Sequence, residues 1–498
     1  MRGGRDGGHE WWAAVAIVCA VVLFRGSLFV LWERSNFDSD QAVMGLMAKH
    51  LAEGRAFPVF FYGQNYILGV EAWMAAPLFL AAGASVTALK LPLLWINLAV
   101  AVLLLRTFTR DVGLGPMQAV VPVLFVALPA AGTAARLVAP DGGNVEPFLY
   151  ILLIWLLRER PVWCGLLLGV GFLQREFTLY GFLALLALDA VRGDLFTRPV
   201  ATRRLISLAA ATAPFIAVQA LKPIASGAGP GTTVADVYGP STNLGELVAR
   251  SCVDPSTLGT GISRIVSDHW PTLFGTGSFR LTDFSIVTNG TTQGGAWETW
   301  LLVASMLVAI AGILSRAARQ GIPRQVDACL FLVLAAAFSV GGYLVGRCGA
   351  IDFYFTRYEL LSLFGAAGLA AWFLSTAQAR PLRRAWIALT ILWFMLIAIP
   401  HARLWNEYLR HPPEDIRRTL IAHLDARGVR YAASRYWVSY ALTFLTDERI
   451  IVKSSDFVRI REYEKLVDAH AAEMVRIERD PCPAGEEVMP RVYFCRPN

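Results

Sequence analysis

Long apolar segments alternate with short polar tracts along most of the chain. A helix needs about 20 apolar residues to cross a bilayer, and most of these segments approach that length, although those between residues 145 and 191 are shorter. Eleven segments are predicted to span a membrane: Trp11–Trp32, 88–108, 117–135, 145–157, 162–174, 177–191, 205–221, 297–315, 326–346, 359–377 and 384–400. A further segment, 66–83, is short and carries Glu71 and Pro77, so we expect it to lie at the membrane surface or to dip into it.

Arginines mark alternate connections between these segments, near residues 106–110, 158–160, 192–204, 316–324 and 380–384. Short loops rich in Lys and Arg stay in the cytoplasm. This pattern predicts a multi-pass protein of the inner (plasma) membrane with a cytoplasmic N-terminus. The long segments 33–87, 222–296 and 401–498 then fall on the extracytoplasmic side, as does the C-terminus.

The last hundred residues differ in pattern from the rest of the chain. Residues 1–400 are predicted to form the transmembrane domain, and residues 401–498 a small extracytoplasmic α/β domain. Its predicted elements are an amphipathic helix at Glu414–Arg427, strands at Tyr431–Ser434, Arg449–Lys453 and Arg491–Cys495, and a helix at Tyr436–Leu445.

Composition supports this fold class, an α-helical polytopic membrane protein with about eleven transmembrane helices. Of the 498 residues, 55% are hydrophobic and 17% are charged, whereas soluble domains carry about 25% charged residues. The net charge of +7 reflects the arginine-rich loops rather than a nucleic-acid partner. Phosphate-binding loops, HExxH and GxSxG motifs are missing, so a reaction outside the cell needs an already activated substrate, unless the protein is a carrier.

Four of the seven cysteines fall on the predicted extracytoplasmic side, where disulfides persist. They are Cys252, Cys348, Cys482 and Cys495. Cys482 and Cys495 flank a short turn and are the favoured pair. Four free thiols remain the alternative, because spacing alone does not determine pairing.

Two carboxylates, Asp38 and Asp40, lie just beyond the first predicted span. One of them could accept a proton from an attacking hydroxyl, and the other could orient that hydroxyl or help to hold a metal. The alternative is structural, since Asp38 followed by Gln41 fits a capping box at a helix start. The two interpretations are compatible.

Further candidate residues lie at other predicted membrane boundaries. The aromatic run Phe57–Tyr62 could form an interfacial belt or line a groove for a lipid or sugar. Glu71 lies in an apolar segment, where ionisable groups are functional candidates; a hydrogen bond to a nearby loop is the alternative. Glu146 begins a span, where the helix dipole would also stabilise it.

Two arginines are candidates for binding phosphate. Arg357 opens a late span, and its guanidinium suits a phosphate, although an arginine that snorkels to the interface would look the same. Arg175 is predicted at the tip of a tight hairpin on the same side. His269, in the 222–296 segment, is more simply an incidental histidine than a ligand.

The first loop resembles that of the C-type membrane glycosyltransferases, in their protein-mannosyltransferase and aminoarabinose-transferase-like branch. The resemblance rests on the segments Phe37-Asp38-Ser39-Asp40, Gly54–Pro58, Tyr62-Gly63-Gln64 and Glu71-Ala72 through Pro77-Leu78, with Gly142-Gly143, Glu146 and Arg357-Tyr358 further along. It covers roughly residues 1–400. The loop reads Asp-Ser-Asp where the eukaryotic pattern has Asp-Glu.

The resemblance implies transfer of a sugar from a polyprenyl-phosphate donor to an extracytoplasmic hydroxyl of a cell-envelope glycan, glycolipid or protein, with inversion. Asp38 or Asp40 would be the general base and Arg357, with Arg175 by position, would bind the donor phosphate. Tyr62, Gln64, Glu71, Glu146 and Tyr358 are candidate substrate-binding residues. A divalent metal on Asp38 and Asp40 is left open, because relatives differ in this respect. A transporter or flippase of lipid-linked sugars, and a non-catalytic family member, are the alternatives.

Overall fold

The computed structural model describes residues 6–32, 37–64, 66–222, 255–275, 297–346, 355–376, 379–483 and 485–495. The part that precedes the C-terminal domain is helical. Its α-helices are Asp6–Leu31, Ser39–Ala52, Val70–Ala82, Val86–Arg110, Pro116–Ala127, Ala131–Arg136, Glu146–Leu157, Pro161–Gln174, Thr178–Val191, Arg198–Leu221, Pro255–Arg264, Trp270–Phe274, Trp297–Gln320, Asp327–Gly346, Ser362–Ser375 and Arg380–Arg410.

Most of these helices overlap the apolar segments of the sequence; Ser39–Ala52, Pro255–Arg264 and Trp270–Phe274 lie outside them. Within the described residues, seven helices are long and apolar enough to cross a membrane, and five more are apolar but shorter. The segment 66–83 contains the 13-residue helix Val70–Ala82, which is too short to span a bilayer by itself. The last long helix continues past residue 400 to Arg410.

The segment 117–135, predicted as one span, is instead two helices that are interrupted near Pro129. A break in an apolar environment leaves carbonyl groups that need new donors. Arg25 donates to the carbonyls of Ala127 and Ala134, and His401 bonds to that of Pro129 at 2.9 Å. These donors come from the first and last long helices, so the sequence pattern of the segment itself does not reveal the break.

The C-terminal domain is a five-stranded sheet in the order β2-β1-β3-β5-β4. Strand β1 pairs in parallel with β2 and β3, while β5 pairs antiparallel with β3 and β4. The strands are β1 Tyr431–Ser434, β2 Ile451–Ser454, β3 Val475–Glu478, β4 Glu486–Met489 and β5 Val492–Cys495, and the helices are Ile416–Ala426, Tyr436–Leu445 and Arg461–Ala469.

The sequence analysis anticipated three of these strands and two of these helices, but missed β3, β4 and the helix Arg461–Ala469. Cys482 and Cys495, the pair that the sequence favoured, form a disulfide with Cα atoms 6.1 Å apart. Cys252 and Cys348 lie outside the described residues.

The C-terminal domain packs on the helix Ser39–Ala52 of the first loop, which we define as residues 33–87. A methyl group at Gly45 would come within 2.6 Å of the Phe444 ring, so the two helices approach each other where the side chain is smallest. Near the other end of the helix, Glu448 accepts hydrogen bonds from Lys49 at 2.8 Å and from Tyr463 at 2.7 Å. This packing brings the start of the first loop against the carboxyl ends of β1 and β2.

Candidate active site

A cavity of about 90 Å³ lies where the first loop, the membrane helices and the C-terminal domain meet. Three separate parts of the chain therefore contribute to one site. Its lining residues are Asp40, Phe61, Gln64, Tyr66, Ile67, Asp141, Arg175, Glu176, Arg357, Tyr358 and Arg459.

Asp40 is the first-loop acid that faces this cavity. It lies in the first turn of the helix Ser39–Ala52 and is partly exposed. The hydroxyl of Tyr436, from the C-terminal domain, donates a hydrogen bond to its carboxylate. Burial and the charge of Asp40 raise the pKa of Tyr436 well above its ordinary value, so this hydroxyl remains a donor throughout the neutral pH range.

Asp38 has a different environment, since it is only 1% exposed and does not line the cavity. Its carboxylate accepts the backbone N–H of Gln41 at 3.0 Å and so caps the helix. The return half of the capping box is not formed, because the side-chain amide of Gln41 has no hydrogen-bond partner within the described chain. Burial, with the negative charges of Asp40 and Asp141, raises the pKa of Asp38 to about 6.

Arg175 and Arg357 both line the cavity, as their proposed role in binding phosphate requires. Arg175 follows the helix Pro161–Gln174 in extended conformation and is 6% exposed. Its guanidinium lies over the rings of Phe177 and Tyr358, at 5.2 and 5.9 Å from their centroids. Its Nε atom is buried and has no hydrogen-bond partner among the described residues.

Asp141 connects Arg357 to a deeper arginine. Its Oδ2 lies 3.0 Å from Nη1 of the buried Arg136 and 3.8 Å from Nη1 of Arg357. The charges of Asp141 and Asp40 both act on Arg357. Arg357 therefore has a carboxylate partner, Asp141, at the cavity wall, while Arg175 has no such partner among the described residues.

Glu71 and Glu146 lie behind the cavity wall rather than in the lining. The carboxylate of Glu71 accepts the backbone N–H groups of Gly142 and Gly143, at 3.0 and 2.8 Å. Both glycines have positive φ, 97° and 98°, a conformation that glycine adopts readily. Glu146 is hydrogen-bonded to Glu71 and accepts from Gln174 at 3.1 Å. Glu71 thus supports the turn that follows Asp141, and Glu146 supports Gln174, the residue that precedes Arg175.

Gln64 lies in the cavity wall opposite the membrane helices. With its amide oriented to satisfy both partners, the Gln64 oxygen accepts from the two Nη atoms of Arg459 at 2.7 and 2.8 Å. The Arg459 guanidinium also lies over the Phe61 and Phe457 rings, 5.0 and 4.4 Å from their centroids. The C-terminal domain therefore contributes a cation to the site.

The two tyrosine candidates have different positions. Tyr358 lines the cavity next to Arg357. Tyr62 does not appear in the lining; its hydroxyl lies 3.0 Å from Nδ1 of His50, in the contact between the first loop and the C-terminal domain. Tyr62 therefore contributes to the docking of the C-terminal domain on the first loop.

The sequence pattern does not single out Tyr436 and Arg459 as site residues. They belong to a tail without a catalytic motif, and both are buried by tertiary packing that no local pattern reveals. His269, interpreted from the sequence as incidental, is buried, and its Nδ1 lies 2.6 Å from Oε2 of Glu359. Most of the 222–296 segment and the residues Asp352–Tyr354 lie outside the described chain.

The described residues contain no group of three or more His, Cys, Asp and Glu side chains arranged to hold a metal ion. Asp38 and Asp40, the two ligands considered from the sequence, are engaged with a helix N-terminus and with Tyr436. Two carboxylates in these roles do not form a metal site, and we derive no step through a metal.

No family model matches the sequence, and no curated protein sequence matches it. The fold is similar to that of solved membrane enzymes. The oligosaccharyltransferase of Archaeoglobus fulgidus in its apo form aligns with a TM-score of 0.51 and 11% identity, over 94% of this chain and 69% of the other. The same archaeal enzyme, AglB, in complex with an inhibitory peptide and a dolichol-phosphate, aligns with a TM-score of 0.50 and 11% identity, over 95% and 70%.

ArnT from Cupriavidus metallidurans in its apo state also aligns, with a TM-score of 0.42 and 13% identity, over 96% of this chain and 98% of the other. The chain shares its fold with the archaeal oligosaccharyltransferase, in agreement with the fold that the first-loop resemblance implies. At 11% identity the archaeal alignments establish the fold and leave the activity of this chain to be argued from its own residues.

Proposed function

We propose that the protein transfers a sugar from a polyprenyl-phosphate donor to an extracytoplasmic hydroxyl acceptor, with inversion at the anomeric carbon. The observation that carries the proposal is the single cavity lined by Asp40, Arg175 and Arg357. A glycosyl transfer of this kind needs a base for the acceptor and positive charge for the phosphate that leaves.

Asp40 is the proposed base. Its carboxylate takes the proton of the acceptor hydroxyl as the acceptor oxygen forms a bond to the anomeric carbon. The bond from that carbon to the phosphate oxygen breaks on the opposite face, and its electron pair stays on the phosphate. Asp38 is less suited to this role, since it is buried in a helix cap outside the lining.

Arg175 and Arg357 are proposed to bind the donor phosphate. Guanidinium groups match the geometry of phosphate oxygens and keep their charge at all relevant pH values. Arg175 is almost wholly buried and, within the described residues, has no carboxylate partner and an unsatisfied Nε. A buried cation in this state is costly, and a bound phosphate would supply the missing anion.

Two general features support a lipid-linked donor. Two lining residues lie at the ends of apolar helices: Arg175 follows Pro161–Gln174, and Arg357 begins the segment Thr356–Ser375, which is long enough to cross the membrane. A lipid carrier could therefore reach the cavity from the bilayer. The archaeal enzyme of similar fold was solved with a dolichol-phosphate, which is a polyprenyl-type phosphate bound to that protein.

The test uses the protein in proteoliposomes with a radiolabelled polyprenyl-phosphate sugar and a delipidated cell-envelope extract as acceptor. We expect label to pass from the organic to the aqueous phase. Asp40→Asn should reduce this transfer by a factor of about 10² or more, the range for a general base, and Asp38→Asn should retain most of it.

Polyprenyl phosphate binding, measured on the same samples, provides the control. Asp40→Asn should still bind it, whereas Arg175→Gln should bind it at least about tenfold more weakly. Movement of intact labelled donor across the bilayer, with no glycoside product, would instead identify a flippase. Undiminished transfer by Asp40→Asn would refute the assignment of the base.

A further inference from the structure

The cavity contains a third arginine, Arg459, which the donor-binding role of Arg175 and Arg357 does not explain. Arg459 is contributed by the C-terminal domain and is 8% exposed. No carboxylate of the described chain lies within 4.0 Å of its guanidinium. Its polar contacts are to neutral groups, the amide oxygen of Gln64 and the hydroxyl of Tyr436 at 3.5 Å.

Two exposed arginines of the same domain show the opposite arrangement. Arg427 pairs with Glu486, and Arg449 pairs with Asp425 at 2.7 Å, although both pairs lie at the surface where water could solvate them. Burying a guanidinium without a counterion costs free energy. The arrangement is typical of a cation that is completed by a ligand.

The position of Arg459 relates it to the acceptor rather than the donor. Its Nε contacts the hydroxyl of Tyr436, and the same hydroxyl donates to Asp40. The base must contact the acceptor hydroxyl. Arg459 is separated from Asp40 only by the hydroxyl of Tyr436, so Arg459 lies on the side of the cavity where the acceptor would bind. Arg175 and Arg357, by contrast, come from the ends of membrane helices.

The topology of the C-terminal domain supports the same assignment. Strands β1 and β2 are parallel; Tyr436 follows the end of β1 at Ser434, and Arg459 follows the end of β2 at Ser454. Ligands of α/β sheets bind beyond the carboxyl ends of parallel strands. The edge of the sheet at which α/β folds generally bind ligands therefore faces the cavity.

We propose that Arg459 binds an anionic group, phosphate or carboxylate, on the acceptor, so that the acceptor is an acidic hydroxyl compound. This inference rests on the proposed function, because it assumes that an acceptor enters this cavity. The stacking of the guanidinium on Phe61 and Phe457 fixes its plane. Gln64 and Tyr436 engage three of its five N–H groups, which leaves two to bond to the anion.

The experiment compares three soluble probes that differ in one group: octyl glucoside, octyl glucuronide and octyl glucoside 6-phosphate. Their affinities for the protein in lipid nanodiscs are measured below the micellar range. We expect at least one acidic probe to bind about 10- to 100-fold more tightly than octyl glucoside, as for a charge-assisted hydrogen bond. The preferred acidic probe shows whether the anion is a carboxylate or a phosphate.

In Arg459→Gln the preference for the acidic probe should fall to about one, and Arg459→Lys should restore part of it. Arg427→Gln, which removes an exposed cation of the same domain, is the matched control and should leave the preference unchanged. A wild-type protein without preference, or a preference that survives Arg459→Gln, would overturn the inference.

Polyprenyl phosphate binding separates this inference from the proposed function. Arg459→Gln should bind polyprenyl phosphate as the wild-type protein does, whereas Arg175→Gln should not. If Arg459→Gln loses polyprenyl phosphate and keeps its preference among the octyl glycosides, Arg459 serves the donor; the inference then fails while the proposed transferase function stands.

Discussion

The hydroxyl of Tyr436 donates a hydrogen bond to the carboxylate of Asp40, although 396 positions separate them along the chain. Ser39, next to Asp40, donates through its own hydroxyl to the backbone carbonyl of Tyr436. The C-terminal domain is therefore attached to the first loop at the residue proposed as the base. This relationship makes the domain part of the site.

Tyr436→Phe removes the hydroxyl and keeps the ring. We expect sugar transfer to fall about 10- to 100-fold, because a hydrogen bond to a charged group contributes about 1.5–3 kcal/mol. The lost donor positioned the carboxylate of Asp40, so polyprenyl phosphate binding should stay as in the wild type while transfer falls. Transfer assays, with polyprenyl phosphate binding measured on the same samples, provide the measurement.

The control for this prediction is Tyr440→Phe, one helical turn away, whose hydroxyl accepts the backbone N–H of Arg459 at 2.7 Å. It should change stability while the folded protein keeps most of its sugar transfer. Undiminished transfer by Tyr436→Phe would show that the hydroxyl does not position Asp40.

Asp38 should make stability depend on pH. Its pKa in the folded protein is about 6, against an ordinary value of 3.8, so the folded state holds this proton more tightly than the unfolded state. The free energy of unfolding that this bound proton contributes is fully present below about pH 4. It is lost as the pH rises through 6, and the loss is about 3 kcal/mol at most.

Asp38→Asn retains a good helix cap and removes the titrating group. Thermal unfolding of the protein in detergent should show a higher Tm for this variant than for the wild type at pH 7, and a similar Tm near pH 4. Asp38→Ala, which loses the cap, should be less stable than Asp38→Asn by about 1 kcal/mol at both pH values. A lower Tm for Asp38→Asn at pH 7 would contradict the burial of a charged carboxylate there.

Glu448 should control the docking of the C-terminal domain. Burial raises the pKa of Glu448, but hydrogen bonds from His50, Arg55 and Lys49 outweigh it and hold the pKa well below its ordinary value. Glu448 is thus charged throughout the neutral range. Its contribution to the docking free energy is lost only as pH falls below about 4.3, the ordinary pKa of Glu.

Glu448→Gln should weaken this docking by about 2 kcal/mol and expose the connection at residues 411–415 to protease. Limited proteolysis at pH 7 measures the effect, and sugar transfer should fall in parallel as Tyr436 leaves Asp40. Glu473→Gln, an exposed change in the same domain, should alter neither. Equal cleavage of the two variants would show that Glu448 is dispensable for docking.

Glu71→Gln tests the support of the Gly142-Gly143 turn. The carboxylate accepts two backbone N–H groups, whereas a carboxamide offers one acceptor oxygen and sets an N–H against the second donor. We expect a loss of about 1–3 kcal/mol of stability and weaker polyprenyl phosphate binding, since Asp141 and Arg175 contact this turn. If Glu71→Gln binds polyprenyl phosphate as the wild-type protein does, Glu71 contributes to folding and not to donor binding.

The sequence by itself determined the helical layout and part of the site. Apolar helices are readable because the bilayer imposes a minimum apolar length within each local segment, and most observed helices overlap the predicted ranges. Asp38, Asp40, Arg175 and Arg357 could be named as candidates because charged groups are few at the predicted extracytoplasmic boundaries of the spans. The break near Pro129 escaped detection, since its stabilising donors, Arg25 and His401, lie far away in the chain.

Only the tertiary structure decided which acid faces the cavity and which partners it has there. The sequence made both Asp38 and Asp40 candidate bases, with a helix cap as the alternative for Asp38. In the structure Asp38 is the buried cap and Asp40 lies in the lining. Tyr436 and Arg459 reach the site through the packing of a domain almost 400 residues downstream. Contacts of that separation leave no periodic signal in the chain, because they depend on how two folded surfaces fit together.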